Sequence, residues 1–162
     1  QRFVDTTRPE TVRIFDVNLR QAFYSTDVLI SSSQKATVLK LNHEEVPIMV
    51  KSAGGPAIDE LRSAQWLCRR FGVKLVCITR GSAGSLLVSK DSHAEHPGFR
   101  VKVADTVGAG DAFTATLVHH YLRGSDLPTM NEAANRIGSW VASKPGGTPP
   151  PEPEMIRQAQ VS

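Results

Sequence analysis

The chain has 162 residues, 40% of them hydrophobic and 22% charged, the balance of a globular domain large enough to bury a core. No apolar stretch nears the roughly 20 residues that cross a bilayer, and no leader-peptide pattern opens the chain, so no membrane role is expected. The net charge of +3 is spread thinly, with only Arg69 and Arg70 adjacent and no basic–aromatic stripe, so nucleic acid is not an expected partner.

The opening residues lead almost at once into a strand over residues 11–17. Ser25 caps a short helix running to about residue 34, and residues 37–41 form a buried strand. Asn42 caps a further helix towards residue 51, and residues 52–56 are a glycine-rich loop. From residue 57 to 71, apolar Ile58, Leu61, Ala64, Cys68 and Phe71 recur every three or four positions, giving an amphipathic helix closed by Gly72. Strands follow at 73–79 and 84–89, then an extended excursion over 93–103 broken by Pro97-Gly98. A glycine-rich run opens a helix to about residue 122; a second spans 130–143; a proline-rich turn and a short helix over 151–160 close the chain. Strands alternating with helices predict an α/β fold with a largely parallel sheet. Cys68 and Cys77 lack metal-ligand spacing, which points to reduced, packed thiols and a cytoplasmic location.

The most informative run is Asp105-Thr106-Val107-Gly108-Ala109-Gly110-Asp111. It sets three backbone amides and an acid at the start of an apolar helix. Such amides lack intrahelical acceptors and favour an anion. An acid beside them can take the proton of a hydroxyl that attacks phosphorus. Equally, the glycines can serve only a turn and Asp111 only a cap. Asn42 followed by Glu45 reads as a capping box. Thr79-Arg80-Gly81-Ser82-Ala83-Gly84 is either a plain turn or a loop that approaches a ligand closely. Strand alternation puts Asp16, Asn18 and Arg20 on one face, where Arg20 meets a phosphate or pairs with Asp16. His119 and His120 are adjacent on a helix and point about 100° apart, so they make no joint metal site. His93, Glu95 and His96 read as a solvated loop, and Trp66 and Trp140 as packing residues.

The run at 105–111, followed by Ala112-Phe113, resembles the C-terminal signature of the ribokinase-like (PfkB) carbohydrate kinases. Phe15-Asp16-Val17-Asn18-Leu19-Arg20, Leu39-Lys40-Leu41-Asn42-His43-Glu44-Glu45 and the 79–84 segment fall in the family's order and spacing, closest to fructokinase-like members. The resemblance implies a three-layer α/β/α fold and ATP-dependent phosphorylation of a sugar hydroxyl. It implies Asp111 as general base and the amides of Gly108, Ala109 and Gly110 as an anion hole. Glu45 would hold a water on Mg²⁺. Thr79, Gly81, Gly84, Asn42 and Arg20 would lie along the nucleotide, with Asn135 either beside the adenine or on the surface.

A potassium ion is further implied, bound by Asp105 and the carbonyls of Val107, Val141, Lys144 and Gly146. Pro150 stands where some relatives carry a serine, which removes one possible hydroxyl ligand. The family also allows a homodimer. Its members are typically about twice this length, with lid and sugar contacts in the first half, so the chain reads as a C-terminal half whose isolated activity is not expected. Alternatives are a nucleoside or 2-keto-3-deoxy-sugar-acid kinase of the same family, or a non-catalytic nucleotide-binding module if the chain is complete.

Overall fold

A computed structural model describes residues 2–20 and 23–153. The expected closing helix falls from residue 154 onward outside the described residues. The chain divides into two compact units, residues 1–81 with 85–94, and residues 82–84 with 95–162.

The first unit opens on a four-residue helix, α1 (Arg2–Asp5), where the sequence suggested a run directly into a strand. Strand β1 is confined to Ile14–Asp16, shorter than the expected 11–17. It is followed by α2 (Thr26–Lys35), β2 (Val38–Asn42), α3 (Glu45–Ser52), α4 (Glu60–Phe71), β3 (Leu75–Thr79), a 3-10 turn (Gly81–Ala83) and β4 (Ser85–Val88). Strand β5 (His93–His96) replaces the longer excursion expected to residue 103. The sheet order is β1-β2-β3-β4-β5. Strands β1, β2 and β3 run parallel, with Asp16 opposite Lys40 and Asn42 opposite Thr79, whereas β4 runs antiparallel to β3.

Local chemistry explains the helix limits. The Ser25 hydroxyl accepts from the Val28 amide, and the Asp59 carboxylate accepts from the Arg62 amide. Gly72 closes α4 in the left-handed conformation, φ +69°. Ile58 falls before α4 and is exposed, so the apolar stripe of the mature helix is Ala64, Leu67, Cys68 and Phe71. These side chains, with Leu29, Val46, Met49 and Val50, cover Leu39, Leu41, Val76, Ile78, Leu86 and Val88 on one face of the sheet. The other face of the central strands is buried as well, at Val38, Leu75, Cys77 and Leu87. Burial on both faces is why β2–β4 read as continuous apolar runs rather than alternating ones.

Lys40 interrupts that apolar face. It is 7% exposed, and its Nζ lies 2.8 Å from Asp16 Oδ2 in the neighbouring strand. A buried ammonium is tolerated only with such a partner. Burial pushes the Cys77 thiol up to about 12 and the Cys68 thiol up to about 11, so both stay protonated and unreactive.

The second unit is built on α5 (Ala109–Leu122) and α6 (Leu127–Ala142). α6 starts three residues before the expected position, because Asp126 caps it through the Thr129 amide and Pro128 fits its first turn. Phe113, Leu117, Met130, Ala134 and Val141 are buried. Among the described residues, no helix is long and apolar enough to cross a membrane.

His120 is buried on α5, with Nδ1 3.1 Å from Ser125 Oγ. Burial, with His119 and Arg123 adding like charge, holds its imidazole below the usual histidine range. The unfolded chain therefore binds the proton more readily. Stability contributed by neutral His120 is complete above the unfolded value of 6.5 and is lost as pH falls from there towards the lower folded value. The melting temperature of His120→Gln should fall less steeply than that of the parent between neutral and mildly acidic pH; parallel curves would refute this.

Candidate functional site

In the first unit, the parallel register brings the carboxyl ends of β1, β2 and β3 to one edge of the sheet, where open α/β sheets bind ligands. Asn42 and Thr79 stand opposite each other there. Asn42 Oδ1 accepts from the Glu44 and Glu45 amides, each at 2.9 Å. Glu45, 5% exposed, reaches back with Oε2 to the Asn42 amide at 2.8 Å. The reciprocal bonds of a capping box are therefore formed, although they sit in the turn ahead of α3, whose cap position is Glu44 and not Asn42. The carboxylate does more than cap: its Oε1 takes the Leu19 amide at 2.6 Å, which fixes the loop that carries Arg20. Each Glu45 oxygen has one N–H donor and keeps a lone pair, so the group can still hold a water on a hard cation.

The expected single face for Asp16, Asn18 and Arg20 is not formed. The strand ends at Asp16, which turns to Lys40, and Asn18 adopts a left-handed φ of +41° that breaks the alternation. Arg20 is exposed beyond that bend. Gly81 has φ +58° and open space where a Cβ would project. In the second unit, the glycine at 84 has a cause within the chain: a Cβ there would collide with the carbonyl of His96 and the amide of Gly98.

Also in the second unit, Gly108 is the N-terminal cap of α5, φ +77°. Its carbonyl accepts from the Ala112 amide at 2.9 Å, and the Ala109 amide donates to Thr106 O at 3.3 Å. The amides of Gly110 and Asp111 stand in the first turn, where a helix offers no internal acceptor. Asp111 is exposed at that tip. A Cβ on Gly108 would strike the carbonyl oxygen of Gly147, so the 105–108 loop and the 144–148 turn meet backbone to backbone. Gly110 is different. Its φ is not left-handed, and nothing lies within 4 Å of where its Cβ would be.

The two loops assigned to a monovalent cation are thus neighbours, and Gly146 takes φ +81° in the turn. Asp105 Oδ1 accepts the Val107 amide at 3.0 Å, the Ala104 and Asp105 amides donate to Ala142 O, and the Val141 carbonyl takes the Lys144 amide at 3.0 Å. Lys144 Nζ bonds Glu152 at 2.8 Å, and that ammonium holds the Glu152 carboxyl below the usual range. Asn135 is buried, not on the surface, with Nδ2 donating to the Asn131 carbonyl at 2.7 Å. His96 accepts the Gly98 amide and rests against Phe99, and among the described residues no group of three or more His, Cys, Asp or Glu side chains could hold a metal ion. Sequence reasoning missed Lys40 as a buried cation beside this edge; its one signal was a lysine inside the apolar run Val38-Leu39-Lys40-Leu41.

Residues 4–155 match the pfkB family carbohydrate kinase profile. Fructokinase-1 of Zea mays is 27% identical over 158 residues, covering 88% of this chain and 47% of that protein. A solved ribokinase of Thermotoga maritima superposes with TM-score 0.78 at 21% identity over 99% of this chain and 52% of that one. Aminoimidazole riboside kinase of Salmonella enterica, solved with aminoimidazole riboside and an ATP analog, gives TM-score 0.70 at 27% identity over 90% and 51%. The chain spans less than half the length of the curated relatives it matches.

The two glycines of the α5 start should respond in opposite ways to one methyl group. Gly108→Ala faces both a left-handed φ and a backbone collision, and should cost upwards of about 1–2 kcal/mol. Gly110→Ala removes a helix glycine from open space and should leave stability unchanged or raise it by up to about 1 kcal/mol. Urea unfolding of the two variants checks the contrast, and equal destabilisation would refute it.

Proposed function

The chain belongs to the pfkB family of carbohydrate kinases, and from that premise we propose that it carries the nucleotide-binding and catalytic part of an ATP-dependent, fructokinase-like sugar kinase. The observation that supports this best is Gly110. Among the described residues, neither backbone conformation nor neighbours require a glycine there. A bare Cα beside free amides and an exposed carboxylate is what a closely approaching phosphoryl group needs.

In this reading Asp111 accepts the proton of the attacking sugar hydroxyl. The amides of Gly108, Ala109 and Gly110 face the charge that grows on the transferred phosphoryl group. Of these, the Ala109 amide starts out engaged with Thr106, so it contributes after that weak 3.3 Å bond yields. Thr79, Gly81, Gly84, Asn42 and Arg20 lie along the nucleotide, with buried Asn135 beside the base. Glu45 fits Mg²⁺ through water, and Asp105 with the carbonyls of Val107, Val141, Lys144 and Gly146 fits K⁺, because both donor sets are oxygen. Mg²⁺, when bound, neutralises phosphate charge. A nucleoside acceptor is the second reading, favoured by the likeness to aminoimidazole riboside kinase.

In the full-length enzyme, Asp111→Asn should keep nucleotide affinity within a few-fold while acceptor-dependent ADP release falls about 10²–10⁴-fold. Near-normal turnover would reject the base assignment. An acceptor panel of fructose, ribose and nucleosides decides between the two substrate classes. Gly110→Ala should fold normally yet turn over at least about tenfold more slowly, since a methyl group there meets the phosphoryl group and not the protein.

A further inference from the structure

Arg80 follows the last residue of β3 and precedes the left-handed Gly81. The Arg80 side chain closes onto the first residue of α4. Its Nε donates to Glu60 Oε2 at 2.6 Å, and its Nη2 lies 2.5 Å from the same oxygen. The two side chains are only 23% and 27% exposed. Two guanidinium donors on one partly buried carboxylate fix the plane of the arginine, which a lysine could not do.

The helix does not need this contact to begin. Asp59 already caps α4 through the Arg62 amide, and Glu60 suits a helix N-terminus by charge alone. What the contact does fix is the chain between Thr79 and Gly81. On its strand side, Thr79 is tied to β2: its carbonyl accepts the His43 amide at 2.9 Å, and its hydroxyl donates to Leu41 O at 3.4 Å. On the other side, Gly81 brings no side chain and has nothing within 4 Å of its Cβ position. Arg80 is the residue between them that is anchored by its own side chain.

We propose that the Arg80–Glu60 pair is a positioning clamp that presets the Thr79–Gly81 exit of β3 for a nucleoside triphosphate. The inference rests on the assignment of Thr79 and Gly81 to the nucleotide. Arg80 acts through the backbone that its contact with Glu60 holds in place. Glu60, an acid with no affinity of its own for a phosphate, then matters as much as Arg80 does.

The test is a double-mutant cycle on the chain with Glu60→Ala, Arg80→Met and the pair combined. Nucleotide Kd is read by calorimetry with Mg-ATP, and amide hydrogen exchange at Gly81 is read without nucleotide. Each single variant should weaken nucleotide binding about tenfold, and the double variant no further, because the two residues act as one unit. Gly81 exchange should quicken in all three variants. Unchanged or tighter binding in Glu60→Ala with weaker binding in Arg80→Met would make Arg80 a direct phosphate ligand and overturn the clamp. Unchanged Gly81 exchange would overturn it as well. Quickened exchange in the variants, with a parent chain that binds no nucleotide, would support the clamp and sink the nucleotide assignment of the turn.

Discussion

One carboxylate ties the edge of the sheet together. Glu45 takes an amide from β2 with one oxygen and an amide from the loop after β1 with the other. It does this from the first residue of α3, at 5% exposure. Parallel strands have no hairpin to hold their ends in register, so each exit must be fixed by something else. Here a single buried acid fixes two of the three exits, and Arg80 with Glu60 fixes the third. A buried carboxylate that accepts a backbone amide on each oxygen is held where it sits, yet further lone pairs stay usable. Structural anchor and ligand-organising group are compatible in the same side chain.

The second unit solves a similar problem largely with backbone. The start of α5 is pressed against the 144–148 turn, with the Gly108 Cα facing the Gly147 backbone and the Val107 side chain closing on Gly147. The Ala104 and Asp105 amides bond the end of α6 from the same loop. A helix start fixed this way presents its free amides in a set direction before any anion arrives. Preorganisation of that kind is what gives fixed dipoles their value in a transition state.

The long amphipathic helix was legible from its apolar period and its closing Gly72, although it starts at Glu60 behind an Asp59 cap and not at residue 57, and the strand read over 73–79 runs Leu75–Thr79. The start of α6 was less so: its cap and proline precede the apolar pattern by several residues. The short β1 and the bend at Asn18 were not legible, since a left-handed non-glycine residue leaves no pattern in sequence. Among the site residues, a glycine's purpose could not be read from its letter. Gly84 and Gly108 serve contacts between distant parts of the chain, and Gly110 serves none that the described residues contain. Lys40 and Arg80 were equally opaque, because which acid a cation meets depends on strand register and helix placement rather than on spacing.

The two native thiols carry a practical consequence. Both are buried and held protonated by their surroundings, so alkylating reagents at neutral pH have no thiolate to attack. Neither thiol is therefore offered to a reagent at the surface. A single cysteine introduced on an exposed element, for instance at Ala115 on α5, would be the one reactive handle for a spin label or fluorophore. Distances from such a handle can be read in solution without first removing any native residue from the core.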